Sequence, residues 1–348
     1  MNLLLWRLLA WGLLLPLFAV LFMPLTERGS RLLLESAERI LPIEVEYGGG
    51  HLAGELQIKR LAWGNARVTV EVQDMVLELS PTCLWYSRLC FQQLYARQLD
   101  VTVLPRPKDA PAPPESARDD SLFEFPLPLE AKNLRVDALR VAWENGEWRQ
   151  DSIEGAARIS DSTLKVTRAL VQGATLSLRG AVDPLEQFQL PRIRLPFELL
   201  VDELVLEAGA WDLYGTVGAL DQLRLSGNWR RTELRLDMLD IRAAALERWS
   251  LRGDIDFSAN WPLALTAEGV LPEIAGWPDL LERKLSLTAD GDLHSLDWQG
   301  QLGGAVSVAA SGSLAILAQQ PSFRLVAGAD WAQTLALADL VALPEPLA

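Results

Sequence analysis

Leu234-Arg235-Leu236-Asp237-Met238-Leu239-Asp240-Ile241 is the stretch that decides the fold. Counted from Leu234, its repeating apolar residues stand at i, i+2, i+5 and i+7. Side chains of a strand alternate between faces, so Leu234 and Leu236 share one side. The step of three would then throw Leu239 and Ile241 onto the other side. One extra residue in a β-bulge restores the face and bends the strand. A tight turn at the same place is the competing reading, and the spacing leaves both open.

The spacing recurs along the chain. It is found at Leu56, Ile58, Leu61, Trp63 and at Leu94, Ala96, Leu99, Val101. It returns at Leu134, Val136, Leu139, Val141, at Leu164, Val166, Ala169, Val171 and at Leu199, Val201, Leu204, Leu206. Elsewhere the period is simply two, as where Val68, Val70 and Val72 alternate with Thr69, Glu71 and Gln73. A repeated strand unit points to a stack with mostly neighbour contacts. The expected fold is mainly β: an N-terminal transmembrane helix followed by an elongated, repeat-like, curved β-sheet forming an apolar groove. Groove-facing candidates are Val68, Val70, Val72, Leu134, Val136, Leu199, Val201, Leu234 and Leu236.

Turn signals punctuate the strands at Gly48-Gly49-Gly50, Gly64-Asn65, Asn145-Gly146, Ser226-Gly227-Asn228, Asp290-Gly291-Asp292 and Gly303-Gly304. Asn145-Gly146 is a favoured hairpin pair. Trp63, Trp143, Trp148, Trp229, Trp261 and Trp298 lie near such turns, where cross-strand packing or a lipid-facing rim would both use them. From Pro105 to Ser121 the chain is Pro-rich, charged and aperiodic, which reads as a linker or long loop. The expected organisation is an anchor over 1–25, an amphipathic helix over 26–42, a β subdomain over 43–104, the linker over 105–121 and repeated strands over 122–348.

Hydrophobic residues make up 49% of the 348, a high share whose excess must lie in buried faces, a groove or the N-terminal run. That run, Leu8 to Leu25, is 18 residues without a charge, about the lower limit for a membrane span. A cleaved signal peptide would have a shorter apolar region and a small-residue cleavage site, which Phe22-Met23-Pro24 does not supply. Arg7 precedes the run and Arg28, Arg31 and Arg39 follow it, a bias that taken alone keeps the body cytoplasmic; long domains cross largely regardless of it. After the run, Leu32, Leu33, Ser36, Ala37, Ile40 and Leu41 fall on one side of a helix over Gly29 to Leu41, which Pro42 stops. Such a helix serves as a lid on the groove or as a connector packed on the first strands.

The formal charge of −14 argues against nucleic acid as a partner, since phosphate would be repelled. Two His residues and no Cys/His cluster argue against zinc. Cys83 and Cys90 have six residues between them; an oxidising compartment would close them into a small loop, and a reducing one would leave two thiols. No catalytic arrangement is visible. The stretch Gly48 to Gly54 with His51 lacks the ending of a P-loop and the spacing of a dinucleotide fold. There is no nucleophile elbow and no metalloprotease motif. His294 stands beside a turn, and Asp237, Asp240, Asp254 and Asp256 read as outward charges that discourage edge pairing. No cofactor is expected, and the chain is not expected to be an enzyme.

The order of these features resembles the N-terminal region of the TamB family. The resemblance is carried by the apolar start, by Gly29-Ser30-Arg31-Leu32-Leu33-Leu34, and by the Gly48–Gly54 turn with Leu56-Gln57-Ile58. It is most specific at Cys83-Leu84-Trp85-Tyr86-Ser87-Arg88-Leu89-Cys90; Leu129 to Val141 and Leu251 to Leu265 look like family strand units. The resemblance implies a single-pass inner-membrane anchor, a periplasmic body and an apolar groove for phospholipid acyl chains. It implies TamA, an outer-membrane partner of the Omp85 class, and roles in lipid passage between the membranes and in outer-membrane protein assembly. Family members are longer and carry a C-terminal domain that meets the partner, so against the family this chain looks like a fragment, a truncated gene product or a piece of a split protein. A scaffold that holds outer-membrane protein strands by β-augmentation, without lipid, is the alternative.

Overall fold

A computed structural model describes residues 22–105, 125, 127–179, 193–243, 247–258, 260–271, 281–304, 306–315 and 322–331. The expected linker from 106 onward and residues 1–21 of the expected anchor lie outside the described residues. Among the described residues no helix is long and apolar enough to cross a membrane.

The chain enters through a 3₁₀ turn, Met23–Leu25, and helix α1, Glu27–Ile40. Strands β1 Ile43–Gly50, β2 Glu55–Gly64 and β3 Val68–Leu79 follow. A second 3₁₀ turn, Pro81–Tyr86, leads to β4 Leu89–Val103. Next come β5 Leu129–Trp143, β6 Gly146–Gln150, β7 Ser152–Ser160, β8 Thr163–Gln172, β9 Thr175–Leu178 and β10 Glu198–Leu213. The remainder is β11 Thr216–Arg230, β12 Glu233–Ala243, β13 Glu247–Asp256, β14 Leu263–Val270, β15 Leu281–Asp292, β16 Ser295–Gly304, β17 Val306–Ala315 and β18 Ser322–Trp331.

Two compact units form. Unit 1 is Met1–Val182 with Leu206–Gly218, and unit 2 is Asp183–Val205 with Ala219–Ala348. In unit 1, β1 to β4 are antiparallel neighbours, and β4 pairs in parallel with β5 on either side of the Pro-rich stretch. Strand β5 is flanked on its other side by β6 and β7, β7 pairs with β8, and β6 with β9. The Ala210–Leu213 end of β10 pairs in parallel with β9. In unit 2, β11 to β18 form one antiparallel run of consecutive strands.

The repeated spacing is a bulge and not a turn, because β2, β4, β5, β8, β10 and β12 each run unbroken through it. In unit 1 the residue three positions into each copy drops out of the ladder: Lys59 in β2, Arg97 in β4, Asp137 in β5 and Thr167 in β8. Asp74 of β3 drops out opposite Lys59 and Arg97, with a φ of 47° that Asp tolerates. Lys59, Asp74, Arg97 and Asp137 therefore form a crease across four neighbouring strands that leaves their mutual register unchanged. In β12 the same role falls to Asp237, and there the neighbouring register does shift. The physical result is the one expected of a bulge: Leu134, Val136 and Leu139, from both sides of the crease, belong to one apolar cluster.

Helix α1 is capped by the Thr26 side chain, which accepts from the Gly29 amide at 3.1 Å. Its apolar residues do not pack as the sequence pattern suggests. Leu32, Leu33, Ile40 and Leu41 are exposed, whereas Gly29 and Ser30 are buried and Leu34, Ala37 and Glu38 half-buried. Glu38 accepts from the Val45 amide of β1 at 2.5 Å. Close docking selects small and polar residues here: a Cβ on Gly29 would stand 2.1 Å from the Met23 carbonyl oxygen.

Candidate functional site

Register places the apolar residues of unit 1 in rows that cross its strands. One row runs Ile43, Trp63, Val70, Val101, Val141, Trp148, Leu176, Trp211, each the lateral partner of the next. A second runs Val45, Leu61, Val72, Leu99, Leu139, Gln150, and a third Tyr47, Ile58, Met75, Ala96, Val136, Ile153, Val171. Val72, Ala96 and Val136 are the buried centre, with Leu61, Val70, Met75, Leu99, Leu134, Leu139 and Ile153 packed on them. Candidates Val70, Val72, Leu134 and Val136 are thus brought together, and Val68 is half-buried in the same strand as Val70.

The opposite face is a ladder of charge. Arg60 bridges Glu44 at 3.9 Å and Glu71 at 2.8 Å, while Arg140 and Arg149 converge on Glu147. The Arg60 guanidinium holds the Glu71 carboxyl below the usual carboxylate range, and Arg149 with Arg140 does the same for Glu147. Asp137 is held down by hydrogen bonds first from the Tyr95 hydroxyl and then from Arg135, and the Tyr95 phenol is raised in turn. Arg97 pairs with Asp74 along the crease.

Unit 2 repeats the division. Trp229, Leu234, Ile255 and Leu263 are lateral neighbours, as are Leu225, Leu239, Leu251, Ala267 and Leu287. Leu236 and Val201 are buried, Leu199 and Leu234 half-buried. Along β15, Leu285, Leu287 and Ala289 are half-buried while Ser286, Thr288 and Asp290 are exposed. Among the described residues α1 is the sole α-helix and it packs on β1, so no layer of helices shelters either apolar face.

Glycines do more here than punctuate. Trp249 and Gly269 are lateral partners, and a Cβ on Gly269 would meet the indole at 2.2 Å. Trp298 lies over Gly312 in the same way, Trp211 over Gly218 and Trp143 over Gly146. The β5–β6 turn is accordingly Glu144-Asn145, one position before the expected pair, since Trp143 is the lateral partner of Gly146. Trp229, Phe257 and Trp261 form an aromatic group with ring centroids 5.0 and 4.8 Å apart.

Cys83 and Cys90 are joined in a disulfide with Cα atoms 5.9 Å apart. The loop that it closes turns Trp85 and Tyr86 outward. Of the four aspartates, Asp237 faces Arg235 at 3.4 Å, Asp240 faces Arg248 at 3.3 Å, and Asp256 accepts from the Ser258 amide at 3.1 Å. Asp254 is exposed and lines, with Leu234, Arg230, Glu233, Arg235 and Asp256, a cleft of about 870 Å³ in unit 2. His51 stacks over Gly54 in the first hairpin loop, and His294 is exposed in a turn shaped by Asp292. Among the described residues no group of three or more His, Cys, Asp or Glu could hold a metal ion.

Sequence reasoning named Val70 and Val72 but missed Met75, Leu77 and the spacing that the four complete. Val70, Val72, Met75 and Leu77 in β3 are a further copy of the spacing, read there from the other strand direction. Gln150 was invisible to a search for apolar residues. It is buried beside Leu139, accepts from Trp148 Nε1 at 3.1 Å, and leaves its own Nε2 without a partner.

The family model described as TamB, N-terminal domain, matches residues 16–334. No curated protein and no solved structure matches the chain.

Proposed function

The chain belongs to the TamB family, matching its N-terminal domain, and from that premise we propose that its apolar faces carry phospholipid acyl chains between the inner and outer membranes. The observation that supports the reading is the row from Ile43 to Trp211, eight apolar residues on eight strands without a helical cover. At about 4.8 Å per strand it extends roughly 34 Å before twist. Half the hydrocarbon core of a bilayer is about 15 Å, so an acyl chain can lie along the row with length to spare. Each buried CH₂ contributes about 0.8 kcal/mol, and affinity then requires no specific residue. The charge ladder on the other face stays in water and keeps the sheet from burying both sides.

In this reading residues 1–25 anchor the chain in the inner membrane and the body lies in the periplasm, where Cys83 and Cys90 oxidise. Lipid moves toward a TamA-type partner of the outer membrane, in support of outer-membrane assembly. No bond is made or broken, and no cofactor takes part.

A photo-crosslinking amino acid at Val70 or Leu134, both half-buried, tests the proposal in the full-length chain. Phospholipid adducts from these positions, and none from Glu71 on the charged face, are the expected result. Adducts to outer-membrane protein strands without lipid would replace the conduit by the scaffold. Val136→Asp and Leu236→Asp are poorer probes, because both positions are buried and a carboxylate there would unfold the sheet.

A further inference from the structure

Helix α1 presents a stripe of exposed, mostly apolar residues. Leu32, Leu33, Ser36 and Ile40 fall at i, i+1, i+4 and i+8, and all four are exposed, Ile40 by 81%. Phe22 and Leu25, just before the helix, are exposed as well. Arg28, Arg31 and Arg39 are exposed on the same helix.

The chain is fixed where it enters this helix. Ser30, fully buried, donates from Oγ to the Pro24 carbonyl at 3.3 Å and accepts from the Leu52 amide at 2.9 Å. The Ala53 amide donates to the same Pro24 carbonyl at 3.0 Å. Gly29 lies so close to Met23 that no side chain fits between them. The 3₁₀ turn, the helix and the first hairpin loop are thereby clamped into one piece.

The uncharged run Leu8–Leu25 ends two residues before the helix begins at Glu27. We propose that α1 lies along the bilayer surface, with Leu25, Leu32, Leu33 and Ile40 in the headgroup boundary and Arg28 and Arg39 at the phosphates, Arg31 being paired with Glu35 at 2.9 Å. The proposal rests on the reading that residues 1–25 are a membrane anchor. A segment clamped within two residues of such an anchor has its first turn held at the interface, and the exposed stripe then lays the rest down. At 14 residues α1 is about 21 Å long, enough to lay its whole stripe down. Three glutamates balance the three arginines of the helix, so its partition into the boundary rests on the apolar stripe. The helix is then neither a lid nor a simple connector. It holds the first strands at a set height above the membrane.

The test uses the full-length chain in vesicles of zwitterionic and anionic phospholipid, with Ile40→Cys carrying an environment-sensitive fluorophore and Arg60→Cys as the charged-face control. Both positions are exposed, so the label does not disturb the core. Brominated lipid is expected to quench the probe at position 40 severalfold more than the probe at position 60, and iodide to quench it less. A position-40 probe open to iodide, in a chain that resists alkaline extraction, overturns the proposal while leaving the anchor standing. A probe shielded from iodide yet untouched by brominated lipid would mean a protein cover, and overturns it too. Release of the chain by alkali removes the anchor and the proposal with it.

Discussion

Deleting Asp137 removes the residue that turns β5 through the crease. Val136 would then be followed directly by Ala138, and strict alternation would resume. Leu139, Val141 and Trp143 would rotate to the charged face, and Arg140 would rotate inward. All three apolar side chains are half-buried, so each forfeits about 1 kcal/mol, half the value of full burial. Drawing the Arg140 guanidinium away from Glu147 and into apolar surroundings costs several kcal/mol more. The sum, about 5 kcal/mol or above, rivals the whole stability of an ordinary domain. The alternative, a one-residue slip against β4 and β6, breaks the pairing of Leu139–Trp143 with β6 instead. Asp137→Ala is the control: it keeps the residue count and loses only the hydrogen bonds from Tyr95 and Arg135, about 1 kcal/mol. Thermal unfolding of the purified full-length chain, followed by Trp fluorescence and far-UV circular dichroism, should separate the two. At about 2–4 °C per kcal/mol the alanine variant melts a few degrees low, and the deletion melts at least 10 °C low or loses its transition. A deletion that melts with the alanine variant would refute the bulge and the face assignment built on it.

Other perturbations probe other contacts. Gly269→Val should drive the Trp249 indole off its partner strand and cost about 1–3 kcal/mol by overpacking, with a urea titration reading the loss and Trp249→Leu partly restoring it. Replacing Cys83 and Cys90 by Ser should lower stability by about 2.5 kcal/mol in a chain-entropy account of so short a ring, seen as a lower urea midpoint that reductant does not lower further. The carboxyls of Glu71, Asp137 and Glu147 lie below their unfolded values, so what they contribute is complete above about pH 5 and is lost as pH falls through the lowered values. Urea midpoints should therefore be flat from neutral pH downward, then decline in acid by a small, salt-sensitive amount, less so in Glu71→Gln.

The strands were legible because period two survives in any one-sided sheet, and the bulge was legible because an odd step between apolar pairs has few physical causes. The parallel pairing of β4 with β5 was not, since nothing local distinguishes it from an antiparallel one. Gly146 read only as a turn residue, and Gly218, Gly269 and Gly312 gave no signal, because their requirement comes from an indole three to twenty residues away in sequence. The face of α1 was misjudged for a related reason. Hydrophobic periodicity ranks residues by affinity for oil, but the contact with the 3₁₀ turn is decided by closeness, and there Gly29 and Ser30 outrank leucine. Gln150 shows the remaining gap, a polar residue inside an apolar row whose burial only the assembled register reveals.

A sheet of card scored along a line folds there and nowhere else. Lys59, Asp74, Arg97 and Asp137 are such a score line, because the register of each strand pair skips them. The two flaps of unit 1 meet there along a line held by side-chain pairs, Arg97 with Asp74 and Asp137 with Tyr95 and Arg135. In the proposed reading, the crease is where a groove lined by Val136 and Leu139 would open for thicker acyl cargo.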